Sequence, residues 1–113
     1  MLLKDRNTTV LQEMLKEISY LESTTKGLTF DGFIRNEDKK RVVSMTLINI
    51  GELVRHLTND FRKENSHIPF KDVLGLRDIA AHRYKALRFD FIWNLVQNDI
   101  PDLKCEIEKL KGE

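Results

Sequence analysis

The chain has a single cysteine, Cys105. That excludes an internal disulfide framework and a cysteine-based zinc site, and a lone thiol fits a reducing compartment. Two prolines and five glycines are too few to punctuate a succession of short strands and tight turns. Neither sign of charge is in excess. Nineteen Lys and Arg stand against eighteen Asp and Glu, for a formal net charge of +1. Bulk charge therefore selects no polyanion, and any nucleic-acid contact has to be local. Apolar runs stay far below the ~20 residues that cross a bilayer. The opening Met1-Leu2-Leu3 meets Lys4-Asp5-Arg6 at once, which leaves no room for a secretory h-region. A cytoplasmic chain without membrane attachment is the expectation. No repeat, linker or low-complexity run divides the sequence, so residues 1–113 are expected to form one domain.

What is present is helical periodicity. Apolar residues are 41% of the chain and charged residues 33%, too apolar for disorder. From about Leu2 to Glu22, Val10, Met14, Ile18 and Leu21 recur at steps of about three to four, the stripe of a first helix. Thr25-Lys26-Gly27 stops it, and Leu28–Ile34 reads as a loop in which Asp31-Gly32 could turn a hairpin. Asn36 is placed to cap a second helix, with Glu37 and Asp38 opposing its dipole. Val43, Leu47, Ile50, Val54, Leu57 and Phe61 carry that stripe onward, widened by Val42, Met45, Ile48 and Leu53. A helix apolar on so much of its circumference is expected to be central. Gly51 in its middle costs about 1 kcal/mol against Ala, a cost that close approach of another helix, within the chain or across a dimer, would explain. Phe61–Ile68 reads as loop, Pro69–Tyr84 as a third helix, and Lys85–Arg88 as a short link. Phe89 or Asp90 opens a fourth helix, expected to end or kink near Asp99-Ile100 because Pro101 follows. The fold class expected is all-α, a four- to five-helix up-and-down bundle.

The segment with chemistry is Leu76-Arg77-Asp78-Ile79-Ala80-Ala81-His82-Arg83-Tyr84. Arg77 offers a planar, permanently charged fork that suits phosphate oxygens, and His82 can move a proton near neutral pH. Asp78, one turn before His82, could orient its ring. Arg83, Lys85 and Arg88 add local positive charge that could hold an RNA backbone. Taken alone, an Arg-x4-His spacing arises often by chance. Glu52 then reads as an ordinary polar-face residue, Tyr84 as a core edge, Trp93 as core and Cys105 as inert. His56 and His67 have no partner at metal-ligand spacing, and no metal or cofactor is expected.

Four features occur together in order. They are Ile50-Gly51-Glu52, Ile68-Pro69-Phe70, the Arg77-x4-His82-x-Tyr84 pattern, and the Trp93 to Ile100-Pro101-Asp102-Leu103 ending. In this combination the chain resembles the HepT-like branch of the HEPN superfamily over residues 40–110. The resemblance implies an HEPN-like helical bundle that acts as a homodimeric, metal-independent endoribonuclease toxin of a bacterial or archaeal toxin–antitoxin pair. It implies Arg77 and His82 as the catalytic pair. It also implies Tyr84 as the tyrosine that a nucleotidyltransferase antitoxin of the MntA type modifies with AMP. Lys85 departs from the pattern, since many relatives have an aromatic residue there. A different reading of the same residues is a non-catalytic HEPN-like module that binds a nucleotide or a nucleotidyltransferase partner.

Overall fold

The structure is a computed structural model and describes residues Leu3–Lys111. Among them all regular structure is helical. Helix α1 spans Leu3–Thr25 and α3 spans Glu37–Val54. The expected start at Leu2 lies outside the described residues. Between these helices, α2 (Phe30–Ile34) is a single turn. This overturns the loop expected at Leu28–Ile34. Thr29 caps the turn by accepting from the Gly32 N–H at 3.0 Å, so Asp31-Gly32 belongs to a helical first turn and not to a hairpin. Phe33, fully buried, anchors it.

Asn36 caps α3 as its position suggested, its side chain accepting from the Lys39 N–H. The helix ends at Val54, earlier than the apolar stripe implied. The stripe continues because the chain turns at Thr58 into a second short helix, α4 (Asn59–Glu64), where a loop was expected. Thr58 makes that turn possible. Its Oγ1 accepts from the Phe61 N–H at 3.2 Å, while Asn7 of α1 donates to the same oxygen and accepts from the Thr58 N–H. One buried asparagine thus pins the start of α4 to α1.

The third expected helix is divided at Gly75 into α5 (Phe70–Leu74) and α6 (Leu76–Lys85). Helix α7 (Phe89–Asn94) passes into one π turn at Leu95–Asp99 and then into α8 (Ile100–Lys111). The expected end near Asp99-Ile100 is thus met not by a loop but by a π turn that closes at Asp99, with helix resuming at Ile100. Pro101 has no N–H to give and its ring crowds the carbonyl four residues back. The chain answers with a wider turn, in which the Ile100 N–H reaches the Leu95 carbonyl, and the rod continues.

Helix α3 is central. It packs on α1 along one side and on α6 along another, with α2 and α5 also against it. Met14 and Ile18 of α1, Leu47, Ile50 and Val54 of α3, and Ile92 and Ile107 of the last rod are closed from solvent. Truncating one of these large side chains to Ala would cost about 2–5 kcal/mol. Trp93 is only half-buried, stacked on Phe33 with ring centroids 5.0 Å apart. The bundle measures 44 × 25 × 24 Å, and α1, at about 35 Å for its length, covers most of the long axis.

Candidate active site on helix α6

Helix α6 reaches α3 because Gly51 has no side chain. A Cβ there would lie 2.8 Å from the backbone nitrogen of Arg77 and 3.2 Å from the carbonyl oxygen of Val73. The glycine in the middle of α3 is thus explained within the chain. Ala80, fully buried, continues the close seam.

At this seam Arg77 projects outward with about half its side chain exposed, and its Nη1 stands 2.8 Å from Oε1 of Glu52. That carboxylate oxygen is shut off from solvent and has no lined-up hydrogen bond. Charge compensates it, from Arg77 and, at 3.5 Å, from Nη1 of Arg55. Among the described residues the Nε–Nη2 edge of Arg77 has no partner. His82 lies exposed five positions along α6, about 140° around the helix from Arg77. Asp78 is exposed one turn before it, and no hydrogen bond or ion pair joins the two side chains. The structure therefore brings Arg77 to Glu52, a partner the sequence reading passed over, and leaves Asp78 and His82 unjoined.

The remaining basic residues are not equivalent. Arg88 forms a two-point pair with Asp90, Nε–Oδ1 at 3.2 Å and Nη2–Oδ2 at 3.1 Å. Hydrogen bonding to Arg88 holds the Asp90 carboxyl below the usual carboxylate range. Arg83 has no acidic partner among the described residues. Its guanidinium carbon rests 4.2 Å from the centre of the Phe91 ring, with that of Arg88 at 4.3 Å. Lys85 is exposed and, among the described residues, unpaired. Phe91, partly exposed, was legible only as an apolar helix position; its role as a seat for two arginines depends on how α6 turns into α7.

That turn is built on Leu87, which takes a left-handed φ of 61°. The Arg88 N–H bonds the Arg83 carbonyl at 2.8 Å and the Leu87 N–H bonds the Tyr84 carbonyl at 3.1 Å. This is a Schellman ending with leucine where glycine is usual.

Tyr84 is half-buried, its ring edge-on to Phe89 with centroids 5.4 Å apart. It lines a cleft of about 340 Å³ between α3 and α6, together with Arg41, Ser44, Met45, Ile48, Ala81 and Lys85. Neither Arg77 nor His82 lines it. The Ser44 hydroxyl is buried there without a hydrogen bond. A cleft of about 430 Å³ lies elsewhere, by α4 and α5, and holds none of the candidate residues. Among the described residues no three of His, Cys, Asp and Glu gather as a metal-holding set, and no helix is long and apolar enough to cross a membrane. Cys105 is exposed. His56 is exposed, and His67 lies 3.8 Å from Glu106.

An all-α bundle with Arg77 and His82 displayed on one helix defines the class, and comparison with known proteins gives the family. The profile of the family described as Ribonuclease HepT-like matches residues 14–110. The chain belongs to this family of HEPN ribonucleases. It is 33% identical over 98 residues to a candidate RNase of Methanocaldococcus jannaschii, covering 87% of this chain and 90% of the relative. A candidate RNase of Caldanaerobacter subterraneus subsp. tengcongensis is 30% identical over 100 residues, 88% of this chain and 89% of the relative. The protein named "Probable ribonuclease HepT" of Thermococcus cleftensis is 30% identical over 101 residues, 89% of this chain and 92% of the relative. No solved structure matches the chain.

Proposed function

We propose that this chain is an endoribonuclease toxin of a toxin–antitoxin pair, cleaving RNA without a metal through Arg77 and His82. The observation that carries the reading is the free Nε–Nη2 edge of Arg77 on the same exposed helix as His82, in a chain of a ribonuclease family. RNA supplies its own nucleophile. His82 takes the proton from the 2′-OH as the O2′–P bond forms, and Arg77 holds the phosphoryl oxygens as their charge grows. The P–O5′ bond breaks and the departing oxygen is protonated, from the other His82 of a dimer. The products are a 2′,3′-cyclic phosphate and a 5′-OH.

The dimer is part of this proposal. Met45 and Ile79 are exposed, and Ile48 partly so, on the two helices that meet at the seam. A second copy covering them would remove apolar surface from water. Silencing by a nucleotidyltransferase antitoxin of the MntA type, through AMP joined to Tyr84, completes the reading. Arg83, Lys85 and Arg88 would flank the bound RNA. The cleft beside Tyr84, with its unpaired Ser44 hydroxyl, favours a second reading, a non-catalytic module that holds a nucleotide.

The test is RNA cleavage by the purified chain with and without EDTA, beside Arg77→Ala and His82→Ala. Both side chains are exposed, so the folded state should persist in each variant. Loss of either should lower the rate about 10²–10⁴-fold. Cleavage that EDTA abolishes, or a variant at the parent rate, overturns the assignment. No cleavage by the parent, with a nucleotide still bound, favours the second reading.

A further inference from the structure

We infer that Glu52 is the positioning residue of this site, the group that fixes which edge of Arg77 meets the substrate. The inference rests on the proposed role of Arg77, but the observations behind it do not. Gly51 and Glu52 are adjacent in α3 and act on the same residue of α6. The missing Cβ of Gly51 lets the Arg77 backbone nitrogen come close, and Glu52 receives the side chain of that residue. Backbone and guanidinium are thus located by two consecutive positions of one helix.

The geometry selects an edge. A guanidinium meets a phosphate best through two parallel N–H groups. Glu52 stands against Nη1, at 2.8 Å, and so spoils the end-on Nη1–Nη2 pair for a second anion. The side-on Nε–Nη2 pair is left clear. A long arginine that starts half exposed would otherwise lose rotamer freedom on binding. Here part of that loss has already been met in the folded chain, as preorganisation requires.

The charge balance points the same way. Arg55 and Arg77 both bring Nη1 to the same Oε1, at 3.5 and 2.8 Å. Without the carboxylate these two cations would repel each other and Arg77 would swing away. With it, the group of three keeps one net positive charge, enough to attract a phosphate and not enough to push the arginine from its seat. A carboxylate oxygen closed off from water, with no lined-up hydrogen bond, is held there by the arginines alone. Asp78, the acidic residue next to Arg77 in sequence, has no such contact.

Glu52→Gln keeps the shape and removes the charge. Glu52→Asp keeps the charge and withdraws it by one methylene, and it serves as the second variant should the first unfold. Two readouts are needed. Guanidinium ¹⁵N NMR of the whole chain reports whether Arg77 is held. In the parent its Nη groups should give separate, slowly exchanging signals, and in Glu52→Gln they should merge. Cleavage of a single-stranded RNA oligomer reports the consequence. Glu52→Gln should lower kcat about tenfold or more with KM changed less than threefold, and Glu52→Asp should recover part of the loss. Glu22→Gln, which removes a distant pair with Lys104, should change neither. Arg77 signals that stay as sharp and separate in Glu52→Gln as in the parent overturn the inference, as does an unchanged kcat. If the parent cleaves no RNA but Glu52→Gln still releases Arg77, the positioning stands and the ribonuclease reading falls.

Discussion

The backbone nitrogen of Arg77 and the α-carbon of Gly51 are in such contact that a methyl group on Gly51 would lie 2.8 Å from that nitrogen. Gly51→Ala therefore sets two effects against each other. Alanine favours the helix by about 1 kcal/mol. The added carbon meets backbone at 2.8 and 3.2 Å, which cannot rotate away, and overpacking of this kind costs about 1–3 kcal/mol. Net destabilisation in urea unfolding is expected, with loss of cleavage at temperatures where the fold survives. A more stable Gly51→Ala chain would show that α6 yields.

Leu87 offers the opposite case. It holds a left-handed φ of 61° and is largely exposed, so its side chain gives little packing in return for the strain. Leu87→Gly should relieve about 1 kcal/mol and raise Tm by several degrees, as calorimetry would measure. A lower Tm would mean that the Leu87 side chain has a contact worth more than the strain, in solution or with another copy.

Tyr84→Phe tests control. The ring packs edge-on to Phe89 and the hydroxyl has no hydrogen-bond partner among the described residues. The variant should match the parent in stability within about 0.5 kcal/mol and in RNA cleavage. Co-expressed with a cognate nucleotidyltransferase, it should gain no AMP by intact mass and stay toxic. An AMP adduct on the Phe variant with silencing intact would remove Tyr84 from the proposal.

Asp90 gives a pH dependence. Its carboxyl is held below the usual range, first by hydrogen bonding to Arg88. A depressed carboxyl stabilises the fold above its unfolded pKa, and that contribution is lost as pH falls through the folded value. Carboxyl NMR should place its midpoint below the ordinary ~3.9 for Asp, and Arg88→Gln should return it there. A midpoint that does not move would show the pair to be broken in solution.

The central helix was legible because its apolar positions recur over about three turns, Val43 to Val54, and because Asn36 announces its start. The helix pattern around Pro69–Tyr84 was legible too, but its division at Gly75 was not. The short helices α2 and α4 were missed for one reason. Each is started by a single threonine, Thr29 or Thr58, and is too brief to show a period. Pro101 signalled an end or a kink near Asp99-Ile100, and the structure shows which form it takes, a π turn over Leu95–Asp99. In the candidate site, Arg77 and His82 stood out by residue type. Glu52 did not, since its importance comes from a contact between helices far apart in sequence. Its neighbour was the available signal: a glycine that admits another helix places the adjacent side chain at that helix.

The four cations proposed for the α6–α7 corner divide evenly. Arg77 faces Glu52 and Arg88 faces Asp90, while Arg83 and Lys85 have no acidic partner among the described residues. Two uncompensated charges, with the single net charge left on the Glu52–Arg55–Arg77 group, cast little field from a nearly neutral chain into solvent, where the Debye length at physiological ionic strength is about 8 Å. A polyanion diffusing nearby is not drawn in from a distance. Its capture falls in the unsteered range, about 10⁵–10⁶ M⁻¹s⁻¹, and should change only modestly with salt. Under the proposed function, selection among RNAs would take place after contact, through dissociation of those that fail to seat, and discrimination would be read in residence times and not in arrival rates.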